Sequence, residues 1–145
     1  MASIERTAVV AYTARQMYEL VNDIERYPEF LPWCASAEVY SRSETELHAT
    51  MVLAMAGLSH SLSTRNTMEP GKSIALALVD GPFSDLTGLW RFEPNVNAGC
   101  LVSLQMDFEF GSRLVAISFG KLFDRIANSM VGAFCKQAEQ CYASD

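Results

Sequence analysis

The sequence predicts an α+β domain in which a curved, seven-stranded antiparallel sheet is covered by one long C-terminal helix. Three observations carry this. From Ala35 to Phe110 apolar residues recur at every second position, in runs separated by turn-forming residues. From about Arg113 to Tyr142 they recur at helical spacing. That helix is the only element large enough to cover the sheet's apolar face.

Each element has its own signal. Ile4, Val9 and Val10 favour a first strand over Ser3 to Ala11. Thr13 is placed to cap a helix over Ala14 to Asp23, where Met17, Leu20, Val21 and Ile24 share a face. Pro28 and Pro32 confine a short helical turn between them. Six strands follow: Ala35 to Arg42, Glu46 to Met55, Ser59 to Met68, Lys72 to Val79, Leu86 to Phe92 and Cys100 to Phe110. The breaks are Ser43-Glu44, Ala56-Gly57, Pro70-Gly71, Gly81-Pro82 and Asn95 to Gly99. The last strand is the clearest, with Cys100, Val102, Leu104, Met106, Phe108 and Phe110 on one face and Ser103, Gln105, Asp107 and Glu109 on the other. Ser112 is placed to cap the long helix, about 30 residues or ~45 Å. Its stripe is Ala116, Phe119, Phe123, Ile126, Met130, Phe134 and Cys141. A curved sheet and a straight helix do not touch everywhere, so an apolar cavity is expected between them.

The 145 residues, with 50% hydrophobic and 19% charged side chains, read as a single domain over 1–145 and exclude a dominantly disordered chain. Roughly 68% of the unfolded surface is buried at this size. A net charge of −6, with scattered Lys and Arg, excludes a whole-domain basic footprint; no DNA partner is expected. There is no span of ~20 apolar residues and no signal-peptide pattern. Cys34, Cys100, Cys135 and Cys141 form no CxxC pair and read as reduced thiols in a cytoplasmic protein.

Little of the chain suggests catalysis. His48 and His60 fall on neighbouring strands with no third partner in view, and read as ordinary strand residues. Asp107 and Glu109 occupy a solvated face. Tyr27-Pro28-Glu29-Phe30-Leu31-Pro32-Trp33 is the most unusual segment, readable as a core plug or as an apolar gate to a ligand or membrane surface. Asp80 to Asp85 reads as a turn plugged by Phe83 or as a loop over the cavity mouth. Met51, Met55, Met106 and Met130 are core filler or an adaptable cavity wall. Gly120 and Gly132, each costing roughly 1 kcal/mol inside a helix, suggest close packing or space for a ligand.

The element order, with Tyr27 to Cys34, Asp80-Gly81-Pro82-Phe83 and Trp90-Arg91-Phe92, resembles the coenzyme Q-binding and RatA-type (ribosome association toxin) family of the START-like, helix-grip superfamily. Further matching stretches are Gln16 to Asp23, Thr64-Arg65-Asn66, Asp107 to Phe110 and Phe119-Gly120. The resemblance implies a helix-grip fold and no catalytic cofactor. It implies two functions: ubiquinone or a polyisoprenoid precursor held in the cavity by a carrier supporting respiration, or association with the large ribosomal subunit that blocks subunit joining, alongside a small partner protein encoded nearby. Peripheral inner-membrane contact accompanies the first. Cyclase relatives of the same fold add an enzyme as a third class. Apolar inward faces favour the quinone reading and a non-catalytic protein, with ribosome binding, through a patch such as Arg65, Lys72 and Arg91, as the alternative. The expected gate is Tyr27, Phe30, Leu31 and Trp33. The expected lining is Leu53, Met55, Leu78, Trp90, Met106 and Phe108 from the sheet, and Phe119, Phe123, Ile126 and Met130 from the helix.

Overall fold

Two-residue alternation builds the sheet, and its bulges bend it. The computed structural model describes residues 2–55, 57–95 and 99–142. Strand β1 (Ala2–Val10) leads into helix α1 (Ala14–Asn22), a 3-10 turn (Ile24–Arg26) and the short helix α2 (Tyr27–Phe30). Strands β2 (Cys34–Arg42), β3 (Glu46–Met55), β4 (Leu58–Glu69), β5 (Ser73–Asp80), β6 (Phe83–Pro94) and β7 (Cys100–Phe110) follow, then helix α3 (Arg113–Tyr142). One antiparallel sheet runs β1-β7-β6-β5-β4-β3-β2. Register shifts in β2, β4 and β6 add curvature where the pairing slips.

The sheet's concave face packs on α3, which buries Phe119, Phe123, Ile126, Ala127, Met130, Val131, Phe134 and Ala138. Thr13 forms a full capping box with Gln16 at the start of α1. The Val115 N–H donates to Ser112 Oγ, so Ser112 caps α3. The Tyr142 hydroxyl donates to the Gln16 carbonyl, tying the far end of α3 to α1.

The strand ahead of the Trp90 region begins at Phe83, earlier than the expected Leu86. Phe83 pairs with Phe110, and a register shift before Asp85 breaks the alternation that marks a strand. Phe83 is buried among Phe108, Phe110, Phe119 and Phe123, as a plug at the sheet end. The helical turn is Tyr27–Phe30, with Pro28 in its first turn, where the missing N–H costs nothing.

Gly99 holds the approach to β7. Its φ is +75°, and a Cβ there would lie 1.9 Å from the Val10 carbonyl oxygen. Gly99→Ala is therefore expected to cost at least ~2 kcal/mol, from the left-handed backbone and the clash together. Urea unfolding with an unchanged m-value measures it; a loss under ~0.5 kcal/mol would show that the β1–β7 edge yields freely.

All four cysteines are free thiols, with Cys34 and Cys100 buried and Cys141 exposed. Burial pushes the Cys34 thiol up from 9.0 to about 11. A raised acid pKa favours the neutral form in the fold, so this contribution is full below pH ~9 and is lost as pH rises toward ~11. In the native protein at pH 8, Cys141 is expected to react with a thiol reagent while Cys34 and Cys100 react only on unfolding. Equal rates for all four would contradict this packing.

Candidate functional site: an apolar cavity between sheet and helix

Two aromatic clusters hold α3 against the sheet. At the start of the helix, Phe123 meets Phe83 at 4.7 Å and Phe108 at 4.9 Å between ring centroids, with Phe110 and Phe119 completing the cluster. Further along, Phe134 meets Tyr27 at 5.2 Å, Trp90 at 5.4 Å and Phe30 at 5.5 Å. The α-helical spacing of Phe123 and Phe134 sets the two clusters three turns apart on one face.

Between them lies a cavity of about 50 Å³. Its wall takes Phe123 from one cluster and Tyr27 and Trp90 from the other. Trp33, Leu53, Met106, Ile126 and Met130 also line it, as do Val21, Ile24, Met51, Leu62, Ile74, Leu76 and Leu86. Two polar side chains complete it, Thr64 and Asn66 on β4, 4% and 2% exposed. The Thr64 hydroxyl donates to Asn66 Oδ1 at 3.0 Å. Among the described residues the only ionisable group in the lining is Tyr27. Its hydroxyl donates to the Val21 carbonyl, and burial pushes its pKa far up, so it stays neutral.

The expected lining thus divides. Tyr27, Trp33, Leu53, Trp90, Met106, Phe123, Ile126 and Met130 are at the cavity. Leu31 is buried in the core away from it, and Phe30 packs on Tyr27 and Phe134 instead. Phe108 and Phe119 belong to the aromatic cluster that closes the far end. Leu78 sits near the β5–β6 turn, against Gly81. The Met55 side chain lies outside the described residues. Parity along a strand gives the face a residue is on, but not its depth along that face. This is why Leu78 and Phe108 share the inward face yet lie off the cavity, and the same holds for Phe119 along the helical stripe.

Met51, readable from the sequence as filler or cavity wall, is in the wall, and eight further lining residues were not anticipated: Val21, Ile24, Leu62, Thr64, Asn66, Ile74, Leu76 and Leu86. Thr64 and Asn66 share the parity of Leu62 and Met68, which was the available signal. Both fell in a strand with polar residues on both faces.

The cavity is small for the ubiquinone or polyisoprenoid ligand that the resemblance implies. A cavity of ~150 Å³ accepts benzene, so about 50 Å³ is too small for a substituted ring without movement of the wall. Met51, Met106 and Met130 give that wall its adaptable parts. On the outside of α3, an apolar groove of about 400 Å³ runs over Pro32, Leu122, Ala133 and Gly132, with Arg125 and Lys136 on it. Trp33 and Ile126 line both groove and cavity, so they form the partition between inside and outside. Gly132 faces the groove, with open space where a Cβ would stand, while Gly120 lies against the Phe110 ring.

Among the described residues the remaining polar groups are spread over the sheet. His60 meets Phe119 at 4.4 Å between ring centroids, the rings tilted by 55°. His48 pairs in register with Arg65 and meets Tyr40 at 5.8 Å. Along β4 the two histidines are five positions apart, roughly 17 Å. Asp107 accepts from the Ser3 hydroxyl on the outer face. Among the described residues no cluster suits a metal. Arg65 shares an outer-face hollow with Arg42, His48 and Glu46, whereas Lys72 and Arg91 share another with Glu69 and Glu93. Arg65 and Arg91 are roughly 16 Å apart by register. The three cations proposed as one patch are therefore split into two. No described helix is long and apolar enough to cross a membrane.

A curved sheet gripping a C-terminal helix over an apolar cavity defines a START-like, helix-grip protein. The model of the polyketide cyclase/dehydrase and lipid transport family matches residues 10–135, and the chain belongs to this family, among its RatA-type members. It is 44% identical to the ribosome association toxin RatA of Vibrio cholerae over 142 residues, 98% of this chain and 99% of that protein. It is 28% identical to the mitochondrial coenzyme Q-binding protein COQ10 homolog B of Xenopus laevis, over 92% of this chain and 57% of that one. The crystal structure of the Zhui aromatase/cyclase from a Streptomyces species superposes with a TM-score of 0.84 at 18% identity, over 96% of this chain and 94% of that one. At that identity the likeness is one of fold.

Proposed function

We propose that this chain is a non-catalytic binding protein that associates with the ribosome from its outer surface and takes an apolar ring-bearing ligand, of the quinone class, into its cavity. The ribosome reading is carried by the 44% identity to a protein named for ribosome association. The likeness spans 99% of that relative, leaving no separate part of it to hold the named activity. The quinone reading is favoured by the apolar lining and by the likeness to a coenzyme Q-binding protein. A binding rather than catalytic role is supported by the lining, which offers no carboxylate, imidazole or amine among the described residues. The RatA likeness is the stronger of the two and covers more of its relative, so ribosome association is the leading reading, ahead of the quinone carrier that the sequence favoured.

At net charge −6 the whole molecule is repelled by RNA, so contact has to be local. The hollow of Arg42, His48 and Arg65 is the best local candidate. Arg65 is exposed and makes no ion pair among the described residues, whereas Arg42 is held by Glu25 at 3.1 Å. Sedimentation of added protein with purified ribosomal subunits tests the reading. The wild type is expected on free large subunits, as the family resemblance implies. Arg65→Glu is expected to lower the bound fraction severalfold and to reduce the salt slope by about 1. Absence of the wild type from every ribosomal fraction would refute the reading, and an Arg65→Glu protein sedimenting like wild type would refute this surface.

A further inference from the structure

A buried amide in an apolar wall is costly unless something pairs with it, so its free atoms indicate what the cavity is built to meet. Asn66 is 2% exposed and lines the cavity. Its Oδ1 accepts from the Thr64 hydroxyl, itself 4% exposed. That bond fixes which way the amide points: oxygen toward Thr64, nitrogen away from it. Among the described residues no hydrogen bond uses Asn66 Nδ2, and the other lining side chains are apolar apart from Tyr27, whose hydroxyl is spent on the Val21 carbonyl, and the indole N–H groups of Trp33 and Trp90.

We propose that Asn66 is the polar anchor of the cavity, donating from Nδ2 to a ring carbonyl, so that the ligand is a ketone or quinone rather than a plain hydrocarbon. This rests on the ligand-binding reading above and gives it a polarity. Thr64 is a positioning residue: with its hydroxyl donating to Oδ1, the amide presents a donor to the cavity and not an acceptor. A hydrocarbon ring would leave Nδ2 unpaired, whereas a carbonyl oxygen needs no proton of its own to complete the bond. The remaining contact is apolar and comes from both sides, from Ile74 and Leu86 on the sheet and from Ile126 and Met130 on the helix.

Duroquinone and durene are the probes, since they share one tetramethylated ring and differ by two carbonyl oxygens. Protein labelled with ¹³C at methionine methyls and ¹⁵N at asparagine side chains is titrated with each. Both rings are expected to move the Met51, Met106 and Met130 methyls, and duroquinone alone the Asn66 side-chain amide. Wild type should prefer duroquinone by about tenfold, and Asn66→Leu should abolish that preference while still taking up durene. Thr64→Val, which keeps the amide and loses its orienting bond, should lower the preference by a smaller factor. If both rings enter and wild type shows no preference, or Asn66→Leu keeps it, the anchor is wrong and the cavity reading stands. If neither ring moves the methionine methyls, the ligand reading falls and the anchor with it. Should Asn66→Leu fail to fold, the wild-type amide response decides alone: movement by duroquinone only supports the anchor, and movement by both rings or by neither overturns it.

Discussion

Replacing Phe134 with alanine is expected to remove about 3–5 kcal/mol of stability, the range for truncating a fully buried phenylalanine. Phe134 is 0% exposed and its ring meets Tyr27, Phe30 and Trp90 within 5.5 Å. It is thus the point at which α3, α2 and β6 are joined. Trp90 stacks parallel on Phe92, and Phe92 meets Tyr18 of α1 edge-on, so the cluster reaches a third helix. A domain of this size holds roughly 5–15 kcal/mol in all, so the variant should be marginal at 37 °C. Urea unfolding followed by near-UV and far-UV signals measures it. The less disruptive Phe134→Leu should lose about 1–2 kcal/mol. A loss below ~1 kcal/mol for Phe134→Ala would show that this cluster does not hold the helix to the sheet.

Introducing a carboxylate at Met130 is expected to abolish uptake of apolar rings. Met130 lies on the helix side of the cavity, 8% exposed, between the two aromatic clusters. Met130→Asp puts an ionisable group against an apolar wall, where it either draws in water or raises its pKa to stay neutral. Either response works against a hydrophobic ligand. Binding of duroquinone should weaken by at least tenfold, and stability should fall by about 2–4 kcal/mol. Phe123→Asp is a poorer test, because Phe123 also carries the aromatic cluster with Phe83 and Phe108, and the variant would lose that packing too. Gln140→Ala, at an exposed position near the end of α3, should bind like wild type. A folded Met130→Asp protein that takes up duroquinone normally would show that the ring binds elsewhere.

The strands with plain alternation were legible in the sequence. In β7, Val102, Leu104, Met106 and Phe108 all point inward, as their spacing requires. The stripe of α3 was legible from Phe119 to Phe134, since Phe119, Phe123, Ile126, Met130 and Phe134 are all buried, but Cys141, placed on it, is exposed at the helix end beyond the sheet-facing stretch. Irregular pairing was not. The shift at Phe83 inserts a residue that spoils the two-residue period, so the first turn of β6 reads as loop. The cavity was legible as a consequence of mismatched curvature, but its extent was not. Whether Phe108 and Phe119 line a space or fill it depends on how their rings meet Phe83 and Phe123, and no one-dimensional pattern contains that. Thr64 and Asn66 were seen as part of a motif but not as an inward-facing polar pair, because hydropathy alone places such residues outside.

The gate assigned to the Tyr27–Trp33 segment is also narrower in the structure. Pro28 starts α2 and Pro32 stands beyond its end, so the segment is pinned at both sides. Tyr27 is locked to the core through its hydroxyl and Phe134, and Leu31 is buried. What remains at the boundary is Trp33, facing Ile126 across the partition between the inner cavity and the outer groove.

The central claim is that the space between sheet and helix is a ligand site rather than a packing defect. Native mass spectrometry of the protein purified from its own host, with organic extraction of what it carries, tests this most directly. The expected result is one hydrophobic carbonyl-bearing molecule per chain, lost in Met130→Asp and retained in Gln140→Ala. An empty wild-type protein that also fails to take up duroquinone would contradict the claim, and would leave the proposed ribosome association as the remaining reading.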